Sequence, residues 1–520
     1  MVQAMDITIS MMSVILVGVA TVFLVATILL KHNGKYRCRL PPGPRAIPVI
    51  GHFHLLMDKT KPIHQILSSL STEYGAIMHL KFGSCPVLVI SSSDLAKESF
   101  TVNDKAFASR PRSAQGQHLG YNYSMLGWAP YGPYWRNARK ICVLELLSSK
   151  RIQSFGPKRM QEIKKTVNSL FQQTQLQSIV KMRRVLSKLT FKVLMTMIID
   201  ERYFGEESGI SVDSVTHLIE ESFMLHGVLD IGDYIPWLKW FDLQGYVKAM
   251  KTVNEKLDLY MQRIVEKHRD KRLKDGVEID DFIDVLISQA EENGEAIPDK
   301  DAFIKATAIV LFSAGSDTSS VSLEWALSLL LQHPDVMRKA REELDSKVGR
   351  NRMVEESDIP QLTYLQAIVK ETMRLHPPAP MLMPHKSIEA CTVGGYHIPA
   401  GTMLMVNAWV IHRDPKLWNK PLDFIPERFM EKGMEMDNIQ MKGNEFEMLP
   451  FGAGRRGCPG TTLAMCMVQT TLAILLQSFD WFVPDGKVLD MSEGVGLTTP
   501  RAVPLEVFIK PRLSHHLYQK

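Results

Sequence analysis

A chain of 520 residues is long enough for about three ordinary domains, yet past the first fifty residues no Gly/Ser tract, acidic block or internal repeat divides it. Apolar and charged shares of 45% and 22% are those of a folded globular protein, and a net charge of +5 implies neither nucleic-acid binding nor a polybasic tail. Six scattered cysteines without a CxxC pair argue against a disulfide framework or structural zinc, and for a reducing compartment.

Ile7 to Leu30 carries no charged residue, enough helix to cross a hydrocarbon layer about 30 Å thick. Asp6 precedes this run and Lys31, Lys35, Arg37 and Arg39 follow it, the reverse of a signal peptide's basic start. Residues 1–30 therefore read as a retained single-pass anchor, with the bulk of the chain in the cytosol. Residues 31–51 form a basic, proline-rich hinge. In Leu40-Pro41-Pro42-Gly43-Pro44-Arg45 the prolines fix φ and remove donors, so the segment is a stiff spacer. A catalytic body over 52–520 follows.

Ile77–Phe82 and Val87–Ile90, parted by Gly83-Ser84, predict a hairpin. Helical spacing then dominates, in Lys158–Phe171, Leu257–Arg272, Asp301–Gln332 and Pro334–Val348. Short extended pieces return at Cys391–Met405 and Val503–Ile509. The expected fold class is mainly α with small β-sheets (α+β).

Several short motifs carry possible chemistry. Trp135 and Arg139, four apart, share a helix face and offer an indole donor and a guanidinium, although alone they fit an ordinary amphipathic helix better. Ala314-Gly315-Ser316-Asp317-Thr318 places a costly mid-helix glycine in the long apolar helix. A kink opening it for a ligand, with Asp317 and Thr318 delivering protons, would explain that cost, and a solvated or capping pair is the rival reading. Glu371 and Arg374 stand at i and i+3. With Arg428 of the Phe424–Phe429 segment they form a charge group read as structural.

Phe451-Gly452-Ala453-Gly454-Arg455-Arg456-Gly457-Cys458-Pro459-Gly460 is the most informative segment. Gly452, Gly454 and Gly457 spell GxGxxG, the dinucleotide fingerprint. That motif needs a βαβ unit opening a nucleotide domain, and only about sixty residues remain. The better reading points the Cys458 sulfur out of a glycine-rich turn just before a helix. Backbone N–H groups and the helix N-terminus there would stabilise thiolate charge. The glycines would let the backbone approach a flat macrocycle, and Arg456 could neutralise a carboxylate on its rim. A thiolate trans to oxygen favours O–O cleavage. The other cysteines read as small buried hydrophobes.

Together, and in this order along nearly the whole chain, these segments resemble the cytochrome P450 monooxygenases, in particular the plant microsomal class. The resemblance implies haem b, held through the Cys458 thiolate, with Trp135, Arg139, His385, Arg456, Phe451, Gly452 and Gly460 as cofactor contacts. His385 is a departure, since many relatives carry arginine there. The implied reaction uses O2 and two electrons to insert one oxygen atom into a C–H bond and release water. With no flavin domain in the chain, a membrane-bound NADPH–cytochrome P450 reductase is the implied partner, steered by Arg136, Lys140, Lys442 and Arg455. The implied location is the endoplasmic reticulum membrane. By the same analogy the substrate pocket draws on Tyr121, Met125, Leu126, Leu311, Ala314, Met381, Leu382 and Leu497, an apolar lining that suits a small hydrophobic substrate. A terpenoid is placed slightly ahead of a flavonoid or other phenolic. The alternatives are an O2-independent haem isomerase or dehydratase, and a haem-binding protein without turnover.

Overall fold

The structure is a computed structural model that describes residues 39–56, 61–176, 178–199, 212–276, 279–430, 443, 445–484 and 486–519. The expected anchor, residues 31–38 of the hinge, and Lys442 lie outside the described residues. Helix α1 (Ile63–Tyr74) precedes the hairpin of β1 (Ile77–Phe82) and β2 (Cys85–Ile90). Gly83 takes the left-handed turn at φ 55°, where its Cβ would meet the Tyr234 carbonyl oxygen at 2.2 Å, so only glycine fits.

The helical body follows as α2 (Pro133–Ile141), α3 (Gly156–Gln175), the short strand β3 (Val180–Lys181), α4 (Met182–Ile198), α5 (Val212–His226) and α6 (Tyr246–Asp275). It continues with α7 (Phe282–Glu292), α8 (Lys300–Gln332), α9 (Pro334–Lys347) and α10 (Thr363–Leu375). The chain then returns to β4 (His385–Lys386), β5 (Cys391–Val393), β6 (Tyr396–Ile398) and β7 (Met403–Val406) before α11 (Thr461–Ser478), β8 (Phe479–Phe482) and β9 (Glu506–Pro511).

One sheet has the order β1-β2-β7-β4. Its β2–β7 pair is parallel, Val87 facing Met403 and Ile90 facing Val406, which demands a long crossover. Nearly the whole helical body is that crossover. A second sheet has the order β3-β9-β8, and β5–β6 is an isolated hairpin closed by Gly394-Gly395, both at positive φ.

Two large apolar clusters share helix α8. Phe303, Ile304, Ile309 and Phe312 belong to one, and Leu323, Ala326, Leu327 and Leu330 to the other. Burying each large side chain contributes about 1.5–3 kcal/mol, which fixes both ends of the helix. Between them runs a small, polar stretch, Ser313 to Ser322. Its hydroxyls are largely spent on the helix itself, as in Ser313 to the Ile309 carbonyl and Ser322 to that of Thr318. Asp299 caps the helix by accepting from Ala302 N–H at 2.9 Å.

The expected break at Ala314–Thr318 is absent, for α8 runs uninterrupted through it. Gly315 serves packing instead, since a Cβ there would sit 2.8 Å from Leu194 Cδ1 on α4. Helix α11 is apolar enough to span a membrane by composition, but 72% of it is buried and it acts as a core helix.

Candidate functional site

The cysteine loop is shaped by two glycines, Gly452 at φ 68° and Gly454 at φ 65°. A Cβ on Gly454 would come within 2.4 Å of Asp104 Oδ1. Asp104 accepts from Arg455 N–H at 3.0 Å, and Cys458 N–H donates to the Phe451 carbonyl at 2.8 Å, which closes the loop. A Cβ on Gly460 would lie 3.8 Å from Cys458 Sγ, directly before α11. The Cys458 side chain is open to solvent. Burial raises its thiol pKa, outweighing the Gly460 N–H, the Arg139 charge and the Thr461 hydroxyl, which all lower it. The expected stabilisation of thiolate by the loop alone is therefore too weak. A bound cation would be needed to hold the sulfur deprotonated.

Behind the loop, Glu371 and Arg374 are fully buried and joined by two bonds of 2.7 and 2.8 Å. Arg428 adds a third to Glu371 at 3.0 Å. Arg374 also donates to the carbonyls of His412 and Pro421, and Arg428 to that of Asn419. The expected structural trio is thus assembled, and its spare donors fasten the segment from 412 to 423. Sequence reasoning missed His412, which accepts from Leu449 N–H at 2.7 Å.

A cluster of cations stands on the other side of the loop. Arg456 lies over the Trp135 ring, 4.1 Å from its centroid, and Arg139 lies 5.9 Å from it. Arg456 donates to the carbonyls of Ala108, Leu126 and Ala129, so it clamps the loop from 108 to 129 as well as carrying charge. Arg110, also missed from sequence, is buried and donates to the carbonyls of Gly127, Met383 and Pro384. Burial and the neighbouring arginines push Arg110 down to about 9 and Arg456 to about 8. No carboxylate among the described residues offsets them.

His385 spends Nδ1 on the Phe107 carbonyl at 2.9 Å. Burial, Arg110 and Arg456 hold it well below the ordinary histidine range, so it is neutral. The local cation is Arg110. Trp135 Nε1 is buried without a partner. An unpaired indole N–H and unneutralised guanidiniums fit a ligand carrying carboxylates, as haem does through its propionates. The residues present fit the group.

On α8, Ala314 is open to solvent while Leu311, Gly315, Asp317 and Thr318 are half-buried, in the middle of an otherwise buried helix. Thr318 donates to the Ala314 carbonyl at 2.6 Å. Asp317 accepts from the Thr498 hydroxyl at 2.7 Å, and burial raises it to about 6. Leu382 and Leu497 are half-buried; Gly227 packs on Leu497 so closely that a Cβ would lie 2.8 Å from its nitrogen. Leu126 is buried beside Arg456.

Three expected pocket residues are placed differently. Met125 is 1% exposed within the helical core, and Met381 packs under the sheet with Leu67, Val89 and Met405. Tyr121 turns toward α6, with Lys305 5.6 Å above its ring, and borders an outer cleft with Asn254 and Asp299.

Comparison with known proteins agrees with this geometry. The family model "Cytochrome P450" matches residues 41–505. A xanthotoxin 5-hydroxylase of Arabidopsis thaliana is 41% identical, the alignment covering 94% of this chain and 96% of that one. A demethylepipodophyllotoxin synthase of Sinopodophyllum hexandrum is 42% identical, over 93% and 94% of the two chains. A flavonoid 3'-monooxygenase of Arabidopsis thaliana is 40% identical, over 94% of each. Among solved structures, a zebrafish cytochrome P450 with abiraterone superposes with a TM-score of 0.69 at 26% identity, covering 87% of this chain and all of its own. The chain belongs to the cytochrome P450 family of haem-thiolate monooxygenases.

Proposed function

We propose that this enzyme hydroxylates an oxygenated aromatic metabolite, a phenolic, coumarin or flavonoid, using O2 and electrons from NADPH through a separate reductase. The relatives' names carry the substrate class: a hydroxylase of xanthotoxin and a flavonoid monooxygenase each align over more than nine-tenths of this chain. They lend no support to the terpenoid that the sequence placed slightly ahead.

Cys458 is the proposed iron ligand, with Trp135, Arg110, Arg139 and Arg456 holding the haem carboxylates. When bound, the haem supplies reductive activation of O2. The chain's own part is positional and acidic. Asp317, near 6, carries a proton part of the time at neutral pH and is held by Thr498. Beside it, Thr318 keeps its hydroxyl on the Ala314 carbonyl and retains a free lone pair for a passing proton donor. The intact pair disfavours an O2-independent isomerase.

The membrane association is part of the same proposal. Trp237, Trp240 and Phe241 are 61%, 91% and 67% exposed. Tyr234, just before them, accepts from Ser84 at the β1–β2 turn, and Ile47 and Val49 stand exposed near that hairpin through the Gly51–Phe82 pair. An exposed aromatic patch with Ile47 and Val49 near it suits a bilayer surface. Arg136 and Lys140 on α2 and Arg455 on the cysteine loop are exposed and suit an acidic electron donor. Turnover assays with a plant reductase and NADPH, on matched panels of coumarins, flavonoids and terpenoids, test the reading. Products from the aromatic panels are expected; products from terpenoids alone would refute the substrate class.

A further inference from the structure

His412 lies on the segment between β7 and the Pro426–Phe429 turn, far in sequence from the cysteine, and is fully buried. Its ring makes two bonds whose partners leave no choice of role. The Arg374 carbonyl can only accept, so Nδ1 donates to it at 3.2 Å. The Leu449 amide can only donate, so Nε2 accepts from it at 2.7 Å. The ring is therefore the neutral tautomer with its proton on Nδ1. Its own carbonyl receives Arg374 Nη1 at 2.8 Å, so His412 and Arg374 grip each other twice.

From Leu449 the path to the cysteine is short. The Leu449 carbonyl accepts from Gly452 N–H at 3.1 Å, and the Phe451 carbonyl accepts from Cys458 N–H at 2.8 Å. Leu449 is fully buried as well, so no water can replace the imidazole as acceptor for its amide. Nδ1 thus holds to the buried Glu371–Arg374–Arg428 group, while Nε2 holds the entry of the cysteine loop.

We propose that His412 is a positioning residue for Cys458, its Nε2 holding the Leu449 amide at the entry of the loop that presents the sulfur while its backbone carbonyl is tied to Arg374 of the charge group. This rests on the reading of Cys458 as the iron ligand. A charged imidazolium could not play the part, because it has no acceptor to offer Leu449. The surroundings oppose that charge: burial, Arg413 and Arg374 hold His412 down to about 3.

The two functions of the ring can be separated, because a glutamine amide reaches about as far as Nε2 and an asparagine amide only as far as Nδ1. His412→Gln keeps an acceptor for Leu449; His412→Asn keeps a donor for Arg374 but loses Leu449; His412→Leu keeps neither. The readouts are the CO-difference spectrum of the reduced full-length holoenzyme and its melting temperature. The glutamine chain is expected to keep the wild-type thiolate band. The asparagine and leucine chains are expected to show a several-fold larger share of the form lacking thiolate ligation, the asparagine chain melting close to the glutamine one.

A wild-type band in the asparagine chain overturns the inference. So does parallel loss of band in the glutamine and asparagine chains, which would make His412 ordinary core. If the asparagine chain does not accumulate, hydrogen exchange in the wild-type holoenzyme decides. A Leu449 amide among the slowest supports the proposal, and a fast one overturns it. Absence of the band in the wild type would instead overturn the assignment of Cys458, and this inference with it.

Discussion

At the scale of single residues, burial rather than hydrogen bonding sets the charges in this site. Asp317 shows the consequence. Its ordinary value of 3.8 is raised to about 6, first by burial, with Thr498 pulling the other way. Between those two values the folded chain holds a proton that the unfolded chain has released, so stability falls as pH rises through that interval and the penalty is complete above it. Asp317→Asn removes the linkage. Its stability relative to wild type should therefore increase from about pH 4 to about pH 7, by at most about 3 kcal/mol. Melting curves at the two pH values check this, and an unchanged difference would show that Asp317 is not titrating there. The motif spacing singled out Cys458, Asp317, Thr318 and the Glu371–Arg374 pair in the sequence, and the structure joins the last of these directly. Arg110 and His412 were not legible, because their partners are backbone carbonyls and an amide from distant segments, which leave no side-chain pattern to read.

At the scale of elements, the long α8 was readable from its apolar run, but its continuity was not. A glycine in a helix signals either a kink or a close neighbour, and only the position of Leu194 distinguishes them. Helix α6 begins eleven residues earlier than the expected Leu257, at Tyr246. Its first turns carry exposed Lys248 and Lys251 around a narrow buried stripe of Met250 and Val253. Met125 and Met381 were misplaced for a related reason, since apolar composition does not tell a pocket wall from a core. The element most exposed to a single change is the charge group behind the cysteine. Glu371→Gln would strip the anion from two buried guanidiniums, a loss of about 3–5 kcal/mol. The expected outcome is little correctly folded holoprotein, measured as haem per polypeptide and melting temperature. Wild-type values for both would mean the group is not what braces the loop.

At the scale of the whole molecule, acid should be the sensitive direction. His226 is held down to about 4 and His412 to about 3, in each case mainly by burial; His376 and His385 are lowered too. All four bind a proton less readily when folded than when unfolded, so stability is lost as pH falls below about 6.5. Each contributes about 1.4 kcal/mol per pH unit across its window, and the three raised carboxylates, Asp233, Asp284 and Asp317, oppose them with fewer groups. Denaturant midpoints should drop between about pH 7 and pH 5; a rise would contradict the balance. The molecule as a whole turns on Cys458 as the proposed iron ligand, and that is tested most directly on the intact chain. A CO-difference spectrum of the reduced wild-type protein should show the thiolate band, and Cys458→Ala should abolish both the band and NADPH-dependent product formation. A Cys458→Ala protein that kept the band and its turnover would contradict the account.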